Sequence, residues 1–276
     1  MKVIVADHAG FCFGVKRALD MVLKAAQKGK PLYTLGPLIH NPQVVEKLRA
    51  AGVEVVKDIK DVKEGWLVMP SHGVPKEVTK SAKDAGLVIV DVTCPFVAKV
   101  HKRAEDLAEQ GFQVVVVGDS GHSEVKGILS AAGDAAATVS TPEEAKQTEW
   151  SDRVGIVAQT TQIEERFQEI VDTISRLAGE VQAYNTICYA TRDRQTAVLQ
   201  LAPKVQALLV VGGRNSANTT RLREICESTC LPTYHIETAD EIDESWFQGI
   251  EIVGLTAGAS TPDWIIDEVK RKLEMV

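Results

Sequence analysis

The chain has 276 residues, of which 45% are hydrophobic and 25% are charged, and its formal net charge at pH 7 is −7. Its length allows one large domain or two to three small ones. The acidic balance argues against broad nucleic-acid binding but is compatible with a local basic patch around an anionic substrate. No apolar run reaches the roughly 18 residues of a membrane span, and no signal-peptide pattern opens the chain. We therefore expect a cytoplasmic protein without nucleic-acid or membrane partners.

The first elements in chain order are an apolar strand and an amphipathic helix. The strand VIVAD is followed by Cys12, and Val15, Ala18 and Val22 then fall on one helical face. Gly29 ends this helix. Apolar, β-branched runs alternate with such helices along the whole chain, which predicts parallel strands joined by crossover helices.

The same order of pieces returns three times. The first pass runs from LYTLGPLIHN to LVIVDVTC, the second from FQVVVVGDSGHSEV to VQAYNTIC, and the third from ALLVVGGRNSANT to the final helix. The third pass lacks one strand, which the N-terminal strand supplies. We predict an α/β fold of three pseudo-equivalent units with parallel sheets, at 1–95, 96–190 and 191–276.

Three of the five cysteines stand at equivalent junctions. Cys12, Cys94 and Cys188 each follow an apolar strand and precede a helix. An odd number of widely spaced cysteines argues against a disulfide framework and favours thiolate chemistry or simple burial. A helix N-terminus stabilises a thiolate and any anionic cluster that it holds. A four-iron cluster normally has four cysteine ligands, so three would leave one iron open to a substrate oxygen. Zinc sites usually use paired, short-spaced motifs.

Polar groups follow the same strands and would surround such a centre. In parallel sheets, ligands lie beyond the carboxyl ends of the strands. Histidines, hydroxyls, an amide and glycine-rich turns at these ends are suited to binding an anion, although each histidine taken singly could equally be structural. No common nucleotide-binding motif is present. The candidate ligands are His40, His72, His122, Ser216, Asn218 and Ser260.

Glu124 is the carboxylate of this set. Near an anionic cluster and a phosphate its pKa should be raised, which suits a proton donor. It could instead be a first-turn glutamate that complements the helix dipole. Thr160 or Thr161 could pass a proton, hold a substrate hydroxyl or cap the following helix.

The remaining candidates have structural interpretations. Cys226 and Cys230 are four residues apart, and we interpret both as core residues on one helix face. The other residues of this group are interpreted as structural or surface histidines and as solvated basic residues on helices: His8, His101, His235, Lys16, Arg17, Lys102 and Arg103.

These motifs together resemble a known family. HAGFCFGVKRAL, TLGPLIHNPQVV, SHGV, DVTCP, GHSEV, AQTT, NTICYATRDRQ, NSANT and TAGASTPDWII occur in the expected order over essentially the full chain. They are similar to those of the 4-hydroxy-3-methylbut-2-enyl diphosphate reductases, the iron–sulfur oxidoreductases that end the non-mevalonate route of isoprene biosynthesis.

The resemblance implies an activity and a role for each site residue. It implies that the three α/β units are arranged as a trefoil around a central [4Fe–4S] cluster on Cys12, Cys94 and Cys188. It also implies reductive removal of the C4 hydroxyl of a small allylic diphosphate, giving isopentenyl and dimethylallyl diphosphate. The substrate hydroxyl would bind the open iron, and a ferredoxin or flavodoxin would supply two electrons. Glu124 would supply protons, assisted by Thr160 and His122. The implied diphosphate ligands are His40, His72, His122, Ser216, Asn218 and Ser260.

Three positions depart from the family pattern. Ala217 stands where a serine is frequent, Ser123 where proline is usual, and Pro70 where arginine is frequent. The first should weaken diphosphate binding slightly, because a neutral hydrogen bond contributes only about 1 kcal/mol. Two other functions stay open from the residues alone. They are a hydro-lyase that uses the open iron only as a Lewis acid, and a cluster-binding sensor without chemistry.

Overall fold

The computed structural model describes residues 1–275. Within this range the chain forms twelve β-strands, and all of their pairings are parallel. The strands are β1 (Lys2–Val5), β2 (Leu32–Leu35), β3 (Val53–Val56), β4 (Trp66–Met69), β5 (Val88–Asp91), β6 (Gln113–Val117), β7 (Ala137–Val139), β8 (Arg153–Ala158), β9 (Glu180–Tyr184), β10 (Ala207–Val211), β11 (Thr233–Ile236) and β12 (Ile252–Ala257).

Helices follow most strands, as the alternating pattern predicts. Among the described residues, none of them combines the length and the apolar character that crossing a bilayer requires. The α-helices are α1 (Phe13–Ala26), α2 (Pro42–Ala50), α3 (Lys76–Asp84), α4 (Pro95–Glu109), α5 (Ser123–Ala132), α6 (Pro142–Gln147), α7 (Glu164–Ile174), α8 (Tyr189–Leu201), α9 (Ala217–Ser228) and α10 (Asp263–Met275).

Helix α1 shows how the sequence pattern produces an element. Val15, Ala18 and Val22 lie on one face and are buried, whereas Lys16 on the other face is exposed. The helix ends shortly before Gly29, whose φ of +67° is a left-handed conformation that glycine adopts without steric cost. The predicted helix and its end are confirmed.

The strands form three four-stranded sheets that share one strand order. The sheets have the orders β3-β2-β4-β5, β7-β6-β8-β9 and β11-β10-β12-β1. In each sheet the second strand of the repeat lies at the edge, and the first and third strands follow it in that order. In the first two sheets the fourth strand of the repeat completes the sheet. Strand β1 takes the fourth place in the third sheet, where Val3 is in register with Val253 of β12. The three parallel α/β sheets and the role of the N-terminal strand are therefore confirmed.

Central strands are buried along their whole length. All five residues of β10 are buried, as are five of the six residues in β8. Continuous burial is typical of parallel strands covered on both faces. Separate hydrophobic clusters accompany the three sheets. The core therefore holds each sheet rigidly and leaves the loops after the strands to carry polar groups.

The described residues group into two compact units. The first comprises residues 1–16, 40–45 and the described part of 189–276, and it contains the third sheet. The second comprises residues 17–39 and 46–188 and contains the first two sheets. The division into 1–95, 96–190 and 191–276 stays a prediction. Residues 2–5 belong to the third sheet because β1 pairs with β12.

Candidate functional site

Each of the three candidate cluster ligands lies at the start of a helix. Cys12 precedes α1, Cys94 is the N-cap of α4, and Cys188 precedes α8. Their side chains are partly exposed and form no disulfide. Partial exposure at a helix N-terminus is typical of reactive or ligating cysteines and not of inert core cysteines.

The main chain of each cysteine is attached to a polar turn. The Cys12 N–H donates to the carbonyl oxygen of Ala259 at 3.1 Å, next to Ser260. The Cys94 N–H donates to the carbonyl oxygen of Ser71 at 2.8 Å, next to His72. The same bond joins the Cys188 N–H to the carbonyl oxygen of Thr160 at 3.0 Å. Each of these three cysteines is therefore hydrogen-bonded to a turn that carries a predicted site residue.

The other two cysteines differ from these three and from each other. Cys226 is fully buried on α9, and burial raises the pKa of its thiol to about 12. Cys230 is exposed and lies outside the helix, which ends at Ser228. The interpretation of Cys230 as a core residue on the same helix face is wrong. Thr229 forms the helix C-cap and Cys230 adopts a φ of +61°, which turns the chain away from the helix.

Glu124 and Thr160 form the centre of the polar group in the second unit. Glu124 is 3% exposed, on the first turn of α5. The Thr160 N–H donates to one carboxylate oxygen at 2.7 Å, and its hydroxyl donates to the other at 3.0 Å. Burial raises the pKa of Glu124 to about 7, although the bonds from Thr160 act in the opposite direction. The expected rise is confirmed with burial as its main cause.

Thr160 does not cap the following helix. Helix α7 begins at Glu164 with Ile163 at its N-cap position. The Thr160 hydroxyl is engaged with Glu124 instead. Of the alternatives for this threonine, helix capping is therefore wrong.

In the second compact unit, His122 lies beside Glu124, and His72 lies beside His122. His122 is the N-cap of α5, and its Nδ1 accepts a hydrogen bond from the Glu124 N–H at 3.1 Å. A neutral ring that accepts at Nδ1 carries its proton on Nε2, so it can donate from that side. The rings of His72 and His122 meet edge to face with centroids 6.3 Å apart. These side chains make the second unit's part of the predicted polar set.

The first unit brings the other predicted ligands together. The Ser260 hydroxyl lies 3.4 Å from the His40 carbonyl oxygen and 3.5 Å from the Ser216 hydroxyl. Ser216 caps α9, because its hydroxyl oxygen accepts from the Thr219 N–H. Burial lowers the pKa of His40, so its imidazole is neutral at pH 7.

Asn218 offers a buried donor to this group. It is 5% exposed on the first turn of α9, and its Nδ2 has no hydrogen-bond partner among the described residues. An unsatisfied buried amide costs about 1–3 kcal/mol, so it marks a place for an acceptor. Phosphate oxygens at a helix N-terminus are such acceptors.

Gly213 is required where the main chain approaches His40. A Cβ atom at Gly213 would lie 2.4 Å from the His40 carbonyl oxygen. Any larger residue would push the turn that carries His40 out of place. The glycine therefore holds this turn and α9 at the separation that the ligands need.

The sequence interpretation missed contacts that several residues make. The sequence predicts a solvated Arg17, and this is wrong, because its guanidinium donates to the carbonyl oxygens of Val92 and Thr93 at 3.4 Å and 3.1 Å. No motif points to Arg194, yet it is 4% exposed and donates to the Gly10 carbonyl oxygen. The partners are too distant in sequence for a local motif to indicate these contacts.

The donor set fits an iron–sulfur cluster better than a single metal ion. Within residues 1–275, no group of three or more His, Cys, Asp or Glu side chains is arranged to hold one ion. A single zinc needs its thiolates about 2.3 Å from one point, whereas each thiolate of a four-iron cluster binds its own iron. Three partly exposed thiols at helix starts, none of them in a disulfide, are suited to the second arrangement.

Known proteins resemble the chain over its full length. The family model described as LytB protein matches residues 3–274. A 4-hydroxy-3-methylbut-2-enyl diphosphate reductase of Trichlorobacter lovleyi is 50% identical and covers 100% of the chain and 99% of the relative. One of Pelobacter propionicus is 49% identical over 99% of the chain and 98% of the relative.

Two solved structures share the fold. A structure of (E)-4-hydroxy-3-methyl-but-2-enyl diphosphate reductase, named as the terminal enzyme of the non-mevalonate pathway, has a TM-score of 0.70 at 44% identity and full coverage of both chains. The E-1-hydroxy-2-methyl-but-2-enyl-4-diphosphate reductase from Plasmodium falciparum has a TM-score of 0.93 at 26% identity, covering 99% of this chain and 87% of that one. With the match of the family model from residue 3 to residue 274, the chain belongs to the LytB protein family.

Proposed function

We propose that this chain reduces 4-hydroxy-3-methylbut-2-enyl diphosphate to isopentenyl diphosphate and dimethylallyl diphosphate. The chain is an oxidoreductase: two electrons and two protons enter, the allylic C–O bond breaks, and the hydroxyl leaves as water. Relatives named for this substrate cover nearly the whole chain at 50% and 49% identity.

Cys12, Cys94 and Cys188 are the residues that would hold a [4Fe–4S] cluster. The three thiols share their exposure, their place before a helix and their main-chain bond to a polar turn. When bound, the cluster supplies electrons one at a time and one iron that no cysteine occupies. The helix N-termini favour the negative charge of the thiolates.

Six residues are the proposed diphosphate ligands. His40, Ser216, Asn218 and Ser260 belong to the first unit, where hydroxyls and a buried amide lie close together. His72 and His122 belong to the second. Hydroxyl, amide and imidazole groups and a helix N-terminus suit a phosphate group, because they supply N–H and O–H donors.

Glu124 would be the proton donor. With a pKa of about 7, its carboxyl is about half protonated at neutral pH, which is suited to general acid catalysis. Thr160 holds both oxygens of the carboxylate and fixes its orientation. His122 orients the first turn of α5 through the Glu124 N–H and can donate from Nε2.

The electron donor would be a ferredoxin or a flavodoxin, and the site of action the cytoplasm. The choice of electron donor rests on the family resemblance and on the need for single-electron delivery.

Two of the three departures from the family pattern lie at helix starts and leave this machinery in place. Ala217 and Ser123 are the first residues of α9 and α5. A serine is acceptable at a helix start, and Ala217 removes only one hydroxyl beside Ser216 and Asn218. We therefore expect slightly weaker diphosphate binding and retained turnover. The structure offers no explanation for Pro70.

The observation that carries the proposal is the buried Glu124 clamped by Thr160, whose carbonyl oxygen binds the Cys188 N–H. Thr160 thereby binds both the proposed proton donor, Glu124, and the proposed cluster ligand, Cys188. A pure cluster sensor has no use for a buried carboxyl with a pKa of about 7.

The deciding experiment measures iron and acid-labile sulfide per chain on protein purified without oxygen, and then turnover of the substrate. About four irons and four sulfides, with turnover only when a reduced one-electron carrier is added, support the proposal. Turnover without a reductant would identify a hydro-lyase instead. Stoichiometric zinc without sulfide, or a full cluster without any turnover, would reject the reductase.

A further inference from the structure

We infer that Arg17, Arg103 and Arg194 are positioning residues for the three cluster cysteines. Each lies on the helix that follows one cysteine and holds the segment that precedes another cysteine. The inference rests on the proposed cluster at Cys12, Cys94 and Cys188. Every contact involved lies inside one of the two compact units.

Arg194 holds the segment before Cys12. It lies on α8, which follows Cys188, and it is 4% exposed. One terminal nitrogen donates to the Gly10 carbonyl oxygen, and the other donates to the Ala190 carbonyl oxygen at 2.6 Å. Gly10 is two residues before Cys12. The contact with Arg194 and the bond from the Cys12 N–H to Ala259 therefore fix the main chain on both sides of Phe11.

The conformation of Gly10 explains why the segment before Cys12 needs a contact with Arg194. Its φ is +96°, a conformation with little intrinsic preference outside glycine. A Cβ atom there would lie 2.9 Å from the Asp263 carboxylate and 3.0 Å from Ile266. The turn is therefore tightly enclosed, and Arg194 donates a hydrogen bond to its carbonyl oxygen at Gly10.

Arg17 holds the segment before Cys94 in a related way. It lies on α1, which follows Cys12, and its Nη1 donates to the carbonyl oxygens of Val92 and Thr93. The Asp91 carboxylate accepts from the Thr93 N–H at 2.9 Å. Thr93, the residue just before Cys94, is therefore hydrogen-bonded through both its carbonyl oxygen and its N–H.

Arg103 makes the third contact with a ring instead of a carbonyl. It lies on α4, which follows Cys94, and its guanidinium carbon is 4.2 Å from the centre of the Tyr184 ring at the end of β9. Between Tyr184 and Cys188 the main chain is already fixed, because the Thr186 hydroxyl bonds the N–H and carbonyl oxygen of Ala158. An exposed cation–π contact is weaker than a buried hydrogen bond from a guanidinium, so we expect the loss of Arg103 to have the smallest effect.

Arginine is suited to this task because its planar guanidinium presents five donors that can reach several carbonyl oxygens. Burying such a charge is costly unless its hydrogen bonds are made, which favours a fixed geometry. Groups that orient metal ligands without touching the metal typically change metal affinity 10- to 100-fold when they are removed.

The test compares cluster retention in R194Q and R17Q with two matched controls. R192Q removes an exposed arginine from α8, and K16Q removes an exposed lysine from α1. Each holoenzyme is assembled without oxygen, and the rate of iron loss to a chelator is measured. Thermal unfolding of the metal-free protein is recorded in parallel, because a purely structural role would lower its Tm without a specific effect on iron loss.

We expect R194Q and R17Q to lose iron about 10- to 100-fold faster than their controls and R103Q to lose it only a few-fold faster. R194K should restore part of the retention, since a lysine can still donate to the Gly10 carbonyl oxygen. Iron loss at the rates of R192Q and K16Q would overturn the inference.

The test of the positioning role does not depend on whether R194Q folds. If R194Q gives no cooperative unfolding, R17Q and R194K still test the same idea, and normal retention in both would reject it. A wild-type protein that binds no iron and sulfide would reject the proposed function instead. A full wild-type cluster with unchanged variants would reject only the positioning role.

Discussion

Thr160 donates two hydrogen bonds to Glu124, one to each carboxylate oxygen, from its N–H at 2.7 Å and from its hydroxyl at 3.0 Å. This pair fixes the orientation of the carboxylate. A glutamine at position 124 can still accept from the Thr160 N–H but cannot release a proton. We therefore expect E124Q to bind iron and substrate normally and to lose turnover about 100-fold or more. Turnover measured with an artificial one-electron donor checks this, and a rate within a few-fold of wild type would contradict it.

The raised pKa of Glu124 also predicts a pH-dependent stability. The carboxyl has a pKa of about 7 in the folded protein and an ordinary value near 4.5 when exposed, so its contribution to stability is full below about 4.5 and is lost as the pH rises through 7. In metal-free protein the wild type should lose about 3 kcal/mol relative to E124Q between about pH 4.5 and about pH 8. Urea unfolding at a series of pH values measures this, and parallel curves for the two proteins would contradict it.

Asn218 gives a test of diphosphate binding. Removing a donor to a charged oxygen costs about 1.5–3 kcal/mol, so N218A should raise KM roughly 10- to 100-fold with little change in kcat. N218D places a carboxylate near the phosphate and should raise KM further. The control is S228A, which removes a hydroxyl at the far end of α9 that donates to Ile225. An unchanged KM in N218A would show that Asn218 does not bind the diphosphate.

Gly213 gives a test of the close approach to His40. In G213A the added methyl would lie 2.4 Å from the His40 carbonyl oxygen and must displace that turn. We expect a raised KM and a loss of about 1–3 kcal/mol in the free energy of unfolding. The matched control is G121A, where a Cβ atom meets nothing within 4 Å. Equal kinetics in the two variants would show that the turn can shift freely.

The cysteine assignment has its own test. C94S should bind markedly less iron and sulfide, because it removes one of three thiolates, whereas C230S removes an exposed thiol outside the proposed site and should bind the full amount. Iron analysis after anaerobic assembly distinguishes them. A complete and active cluster in C94S would contradict the ligand role of Cys94.

Local patterns predicted much of the fold and of the polar set, because the relevant signals lie within a few residues. The repeated strand and helix order predicted the sheets, and the incomplete third pass predicted the pairing of β1. Cys12, Cys94 and Cys188 could be recognised as equivalent because each stands between a strand and a helix. Long-range contacts could not be predicted in this way. Arg194 and Gly10 are 184 positions apart, and Arg17 and Thr93 are 76 apart.

Cys230 illustrates a different reason for failure. Its spacing from Cys226 fits a helix face, but periodicity does not specify the residue at which a helix stops. The helix ends at Ser228, and Cys230 takes a left-handed conformation that side-chain spacing does not indicate. The exposure of a residue close to a helix end therefore depends on its backbone conformation.

The pairing of β1 with β12 has a consequence for synthesis of the chain. The ribosome makes residues 2–5 first, but their partner strand, Ile252–Ala257, is among the last segments to emerge. The Cys12 N–H likewise finds its acceptor only when Ala259 has been made. The nascent polypeptide therefore carries an unpaired N-terminal strand and an unanchored Cys12 through most of translation. The main-chain bonds that anchor the three cysteines proposed as cluster ligands are therefore all in place only after the chain is nearly complete.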